Sequence, residues 1–287
     1  MSFGALPRRS NQRVSSLPRV CLTFATRLTH SHTQPNHSRE LIQMKIGIIG
    51  AGNIGSTLAR KLAACGHDVK LANSKDPKSI QALADELGAR AVAKEGAVAD
   101  VDVVILSIPF AKYPDLRDTL SKACESTVVI DTSNYYPVRD GAIKEIDDGK
   151  AESVWISEQI GRPVVKAWNA VLAATLVEQG KPAGSSSRIA LPVAGDNVIA
   201  VAIAQRLVED TGFDALATGG LEGSWRQQPG TPAYCTELTL PELTSAVNAA
   251  DKARMAQNRN ALFDRFTASW GQLTREQMVA SNRAMTA

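Results

Sequence analysis

Lys45-Ile46-Gly47-Ile48-Ile49-Gly50-Ala51-Gly52-Asn53-Ile54-Gly55-Ser56-Thr57-Leu58-Ala59 decides the fold. A short apolar run leads into Gly-x-Gly-x-x-Gly and then into helix formers. In such a stretch the first glycine permits the tight turn and the second lets backbone approach a pyrophosphate. The third lets the helix pack against the strand. Unpaired N–H groups and the positive dipole end of the helix then face the phosphates. The helix formers Leu58-Ala59-Arg60-Lys61-Leu62 and a second strand at Asp68-Val69-Lys70-Leu71-Ala72 supply the context that the bare pattern lacks. The stretch predicts a dinucleotide site, with Gly50, Gly52, Asn53, Ile54 and Gly55 as its phosphate loop.

The end of the second strand selects the dinucleotide. NAD sites place Asp or Glu about 20 residues after the glycines, on the ribose 2′-OH. Here Asn73-Ser74-Lys75 stands at that point, and the first carboxylate is Asp76. A hydroxyl and an ammonium both donate to a 2′-phosphate, which a carboxylate repels. Ser74 and Lys75 are therefore the candidate clamp for NADP(H). The plainer reading of Asn73-Ser74-Lys75-Asp76-Pro77 is a polar turn.

Working outward, strands and helices alternate. A helix over 79–87 stops at Gly88, and a strand near 89–92 precedes a short Ala-rich helix around 94–99. Val101 to Ser107 and Thr127 to Asp131 read as buried parallel strands because they are almost continuously apolar. Further strands are expected at 163–168, 188–193 and 213–216, with a helix from Asn197 to Glu209. The pattern predicts an α/β fold, a doubly wound parallel sheet of the Rossmann type with a C-terminal helical extension. Residues 44–222 form the expected NADP-binding domain. Residues 223–287 form a loop and helices, with Thr274-Arg275-Glu276-Gln277 as a capping box. These helices are expected to serve packing or a homodimer.

The first 43 residues differ from the rest. They hold six arginines, no lysine and one acid, Glu40, so the remainder carries 26 basic and 28 acidic side chains although the whole chain is +3. The basic balance therefore belongs to the tail, and the fold itself gives no reason to expect nucleic-acid binding. Two readings of this disordered extension stand: a transit-like segment, or an over-extended start with Met44 as the true first residue, which is favoured. The tail has no long apolar run, so no signal core or membrane anchor is expected in it. Cys21, Cys65, Cys124 and Cys235 are scattered, so neither a metal site nor a disulfide is expected, and a cytoplasmic setting fits.

Several segments together resemble the NADP oxidoreductases dependent on coenzyme F420. They are Gly50-Ala51-Gly52-Asn53-Ile54-Gly55, Ala72-Asn73-Ser74-Lys75, Ser107-Ile108-Pro109 and Asp131-Thr132-Ser133-Asn134-Tyr135-Tyr136-Pro137. Val165-Lys166-Ala167-Trp168-Asn169 and Trp225-Arg226-Gln227-Gln228-Pro229-Gly230-Thr231-Pro232 complete the set. The resemblance spans roughly Met44 to Glu237 and extends to the STEAP reductase domain and, more distantly, to pyrroline-5-carboxylate reductases. It implies hydride transfer between NADP(H) and F420 or a flavin, a small-molecule acceptor. The family's clamp is Ser-Arg, and Lys75 replaces the planar fork by a point charge.

The only histidine beyond the tail, His67, lies at the start of the second strand and reads as structural. A hydroxy-acid dehydrogenase needs a positioned acid–base such as histidine, whereas transfer to a deazaflavin needs mainly stacked rings. Ser107, Ile108, Pro109 and Phe110 are expected around the nicotinamide, with Asn169 orienting cofactor or acceptor. Tyr135 is expected near the pocket or in packing, and Lys166 as a strand lysine facing solvent. The alternatives are an imine reductase of the pyrroline-carboxylate type and a non-catalytic NADP(H) sensor.

Overall fold

A computed structural model of the chain describes residues 43–269 and 271–286, which belong to one compact unit. The expectations for the N-terminal tail lie outside the described residues. The strands are β1 (Lys45–Ile49), β2 (Asp68–Ala72), β3 (Arg90–Ala91), β4 (Val103–Leu106), β5 (Val128–Asp131), β6 (Val165–Lys166), β7 (Ala190–Val193) and β8 (Asp214–Ala217). Between the first six run α1 (Asn53–Ala64), α2 (Gln81–Leu87), α3 (Lys94–Val98), α4 (Arg117–Leu120), α5 (Pro137–Asp140), α6 (Lys144–Asp147) and α7 (Glu152–Ile160). The remaining helices are α8 (Ala173–Glu178), α9 (Val198–Asp210), α10 (Leu240–Asn248), α11 (Lys252–Ala268) and α12 (Arg275–Thr286).

Six strands form a parallel sheet in the order β3-β2-β1-β4-β5-β6. Side chains alternate across it with period two, which gives two cores. Ile46, Ile48, Val103, Ile105 and Ile130 pack with Leu58 and Leu62 of α1 and Leu207 of α9 on one face. Ile49, Val104, Leu106 and Val129 pack with Val98 of α3 and Trp155 and Ile156 of α7 on the other. Gly47 is required there, because a Cβ would stand 1.7 Å from the Ala97 carbonyl oxygen. The strand order reverses between β1 and β4, so the crevice for a ligand opens beyond their carboxyl ends.

The main sheet ends earlier than the sequence suggests. β7 and β8 pair only with each other, and a single antiparallel bridge, Lys166 to Ala194, joins them to β6. Ala194 gives its N–H to the Lys166 carbonyl at 3.0 Å. Residue 192, with the same orientation two positions earlier, is proline and has no N–H to continue the ladder. The Gln227 carboxamide fills the gap, its Nε2 donating to Asn169 Oδ1, Pro192 O and Lys166 O at 2.9, 3.3 and 3.4 Å. In the C-terminal segment, α10 packs through Leu243 and Val247 with Ala190 and Ala233. Asp251 caps α11 by accepting from Ala253 N at 2.9 Å. The capping box before α12 forms, with Thr274 N donating to Gln277 Oε1 at 2.9 Å. No helix among the described residues is long and apolar enough to cross a membrane.

Candidate functional site

The loop between β1 and α1 is built by close approach. Gly50 has φ +118°, and a Cβ on it would lie 2.0 Å from the Ser107 carbonyl oxygen, so the ends of β1 and β4 press together there. A Cβ on Gly55 would lie 1.9 Å from the Gly50 carbonyl oxygen, which lets α1 start directly behind the turn. Gly52 faces open space. It is the N-cap of α1, with no side-chain cap and no acid in the first turn. The uncapped N–H groups of Asn53, Ile54 and Gly55 thus meet the requirement for an anion site.

At the end of β2, Asn73 Oδ1 accepts from Lys75 N at 2.9 Å and Asn73 Nδ2 donates to Ser79 Oγ at 3.0 Å. This fixes the turn and leaves Ser74 and Lys75 exposed at its tip. The first carboxylate, Asp76, is spent as a cap that accepts from Lys78 N at 2.8 Å. On the other side of the switch point, Ser107 and Ile108 are half-buried and Pro109 is exposed. Phe110 departs from expectation. It is fully buried and stacks on Trp155 at 5.2 Å, because the short 3-10 turn after Pro109 folds it back into the core. Tyr135 is likewise buried, with its hydroxyl accepting from Ile143 N at 2.9 Å and donating to Gly141 O at 3.1 Å.

Lys166 does not face solvent. Its side chain is completely buried, with Nζ 3.2 Å from Glu152 Oε2 and 3.4 Å from Asp131 Oδ2, and it donates to the Ser133 carbonyl at 3.1 Å. Strand β6 is covered on both faces, so a lysine there can exist only with partners. Asp131 collects hydrogen bonds from Tyr113 Oη (2.6 Å), Ser133 N (2.8 Å), Ser133 Oγ (2.7 Å) and Ser153 Oγ (2.7 Å). Burial disfavours its charge, but Lys166 and these donors outweigh that and hold its carboxyl below the usual value. Burial dominates at Glu152 and raises it. Lys166, also opposed by burial, is raised by the two carboxylates.

These directions predict a pH signature. A buried carboxyl with a raised value binds its proton more tightly folded than unfolded, so Glu152 lowers stability as pH climbs from 4.5 through its raised value. Glu152→Gln removes that decline while keeping an oxygen for Lys166. Urea midpoints from about pH 5 to about pH 8 should converge at the acid end and favour the variant at the alkaline end. Parallel curves would refute the assignment.

Asn169 is buried with its amide fully engaged. Nδ2 donates to Asn134 Oδ1 at 3.0 Å and to Gln227 O at 2.8 Å, and Oδ1 accepts from Gln227 Nε2. It caps no helix, since α8 starts after Leu172. It stands behind Asn134, whose Nδ2 reaches Tyr234 Oη at 3.4 Å. The Tyr136 and Tyr234 hydroxyls, 98 positions apart in sequence, meet at 2.8 Å. Sequence reasoning missed this pair, and no local signal marks it. His67 sits at the opposite end of the sheet, its Nδ1 accepting from Met44 N at 3.2 Å and its Nε2 3.3 Å from Asp210 Oδ2. Among the described residues no group of three or more His, Cys, Asp or Glu side chains could hold a metal. Cys65, Cys124 and Cys235 are free thiols.

The comparisons with known proteins agree with this fold. Residues 45–135, from β1 past the end of β5, match the family described as NADP oxidoreductase, coenzyme F420-dependent. The Escherichia coli (strain K12) protein YjhV is 39% identical over 108 residues, which cover 36% of this chain and 76% of that protein. The crystal structure of SMa0349 from Sinorhizobium meliloti superposes with a TM-score of 0.60 at 30% identity, covering 69% of this chain and 96% of that one. A candidate F420-dependent NADP-reductase from Arthrobacter sp. FB24 shares the fold, with a TM-score of 0.51 at 20% identity over 79% of this chain and 95% of that one. Glycine loop, strand order and sequence relatives agree: the chain belongs to the NADP oxidoreductase family named for coenzyme F420.

Proposed function

We propose that this protein is an NADPH-linked reductase that passes hydride to a deazaflavin such as F420, or to a flavin. The observation that carries the reading is the pairing of an uncapped helix N-terminus with a turn tip that offers Ser74 and Lys75, where the first carboxylate, Asp76, turns Oδ1 back to cap Lys78 N. The residues present fit NADP(H). Gly50, Gly52, Asn53, Ile54 and Gly55 would hold the pyrophosphate through backbone N–H groups. Ser74 and Lys75 would hold the 2′-phosphate by donation. Ser107, Ile108 and Pro109 would border the nicotinamide, and Asn169 would act through Asn134 as a positioning residue. When bound, the cofactor supplies a hydride, and the chain's own work is to orient it and exclude water. Residues 44–222 would bind the dinucleotide, and 223–287 would cover the acceptor end.

The clamp has a direct test. Lys75→Glu should weaken NADPH binding about ten- to a hundredfold, the worth of a charge-assisted hydrogen bond, and leave NADH nearly unchanged. Equal losses for both cofactors would refute the role of Lys75. The activity is tested by following NADPH absorbance with F420, FMN, FAD and a cyclic imine in parallel. Turnover with F420 or a flavin supports the reading. Turnover with the imine alone moves the enzyme to the imine reductases, and binding without any turnover leaves a sensor.

A further inference from the structure

Reduction by hydride leaves negative charge on the acceptor, and a proton must arrive to neutralise it. Among the described residues the one histidine, His67, lies at the opposite end of the sheet, and Lys166 beneath the cleft is tied to two carboxylates. What gathers over the ends of β5 and β6 is a set of neutral donors. Asn134, three residues beyond β5, donates to Tyr234 Oη, and Tyr234 shares a 2.8 Å hydrogen bond with Tyr136. Both tyrosines are only partly covered. The set is firmly held. Arg139 Nη2 donates to the Asn134 carbonyl at 2.6 Å, and its guanidinium lies 5.3 Å from the Tyr136 ring. Phe263 of α11 packs on the Tyr136 ring at 5.3 Å. Cys235, directly after Tyr234, is fixed in the left-handed region (φ 55°) with its N–H on the Ala170 carbonyl at 3.1 Å.

Strands in a sheet are about 4.8 Å apart, so the end of β5 lies about 10 Å along the edge from β1. A dinucleotide held at the start of α1 and by Ser74 and Lys75 after β2 would direct its nicotinamide half to that side of the switch point. Two hydroxyl protons are present in the tyrosine pair and only one is needed for the bond between them. The bond between the two phenols can run either way, so once Tyr234 gives up its proton Tyr136 can donate to it alongside Asn134, and two neighbours then support the charge on its oxygen.

We propose that Tyr234 is the proton donor of the reduction, with Tyr136 as its relay to solvent and Asn134 as a positioning residue. The proposal rests on the reductase reading above. It assigns the acceptor to a class in which the carbon taking hydride is conjugated to a nitrogen or oxygen that takes a proton: an imine, a carbonyl or a deazaflavin ring. As the acceptor carbon receives hydrogen with its electron pair, the Tyr234 O–H bond breaks and its proton passes to that heteroatom. NADPH is oxidised to NADP⁺ and the acceptor is reduced by two electrons. Tyr136 then gives its proton to Tyr234 and regains one from water. Burial, the largest influence on each phenol, keeps both protonated far above neutral pH. The neighbouring Cys235 thiol, pushed up to about 12 by burial, supplies no competing base. Glu152 and Arg139 are the charged groups that act on Tyr136.

The test uses the full chain with F420 and a cyclic imine as probe acceptors. Tyr234→Phe should bind NADPH as tightly as wild type, lose about a hundredfold or more in kcat, and lose the solvent deuterium effect on hydride transfer. Tyr136→Phe should lose less. A kcat within about threefold of wild type with the isotope effect intact would overturn the proposal and leave the reductase reading standing. NADPH binding with no turnover of either probe would overturn the proposal, and the absence of turnover with FMN and FAD as well would overturn the reductase reading. If Tyr234→Phe fails to fold, difluorotyrosine at 234 keeps the hydroxyl and alters its acidity, and an unchanged rate would overturn the assignment. A readout without turnover is the ring carbon resonance of labelled tyrosines. In the presence of NADP⁺, the probe must shift the Tyr234 signal and leave that of buried Tyr113 in place, and an unmoved Tyr234 signal refutes contact.

Discussion

Replacing Lys166 by Met should destabilise the protein by about 3–5 kcal/mol, the cost of removing one partner from a buried ion pair. For a chain of this size that lowers the melting temperature by roughly 10 °C or more. The reason lies in the wiring. The ammonium sits between Asp131 and Glu152, all three fully buried, and it also holds the carbonyl of Ser133. Without it two carboxylates share a dry site with no cation. Glu152, already raised by burial, then takes up a proton. That gives the deficit a sign. It is largest at neutral and alkaline pH and shrinks as the solution is acidified through the raised carboxyl values, because both carboxylates of the variant become neutral more readily than in the wild type. Urea denaturation at two pH values measures this. A deficit independent of pH, or no deficit, would refute the description of the cluster.

The second large effect separates two glycines of one loop. Gly52→Ala should leave stability unchanged or raised by up to about 1 kcal/mol, because its φ of −81° suits alanine and nothing lies within 4 Å of the new Cβ. The same variant should lose NADPH affinity by about a hundredfold, since the added methyl stands where phosphate must approach the helix start. Gly50→Ala fails for a different reason. Its Cβ meets the Ser107 carbonyl at 2.0 Å and its φ of +118° disfavours any side chain, so β1 and β4 must part and stability falls with binding. Thermal unfolding alongside NADPH titration distinguishes the two. A Gly52→Ala protein that binds NADPH normally would exclude this loop as the phosphate site.

The strands of the parallel sheet and the tight turn between β1 and α1 were legible because each is encoded locally. Continuous apolar runs announce buried parallel strands, and Gly50 and Gly55 announce where backbones touch. The break between β6 and β7 was also written in the chain, at Pro192, but its consequence depends on which edge the missing N–H faces. Lys166 and Phe110 misled for a common reason. A lysine in a short strand and a phenylalanine after a proline carry no local mark of burial, which here comes from Asp131, Glu152 and Trp155 brought in from other elements. Asn169 was singled out from its sequence neighbourhood, yet its amide serves Asn134 and Gln227 rather than open space. The tyrosine pair was illegible, because proximity between positions 136 and 234 exists only after folding.

The most direct test of the central claim is calorimetric titration of NADPH and NADH into the full-length protein. One NADPH should bind per chain, more tightly than NADH, with the preference abolished in Lys75→Glu. Equal or tighter binding of NADH, or no binding of either, would contradict that claim.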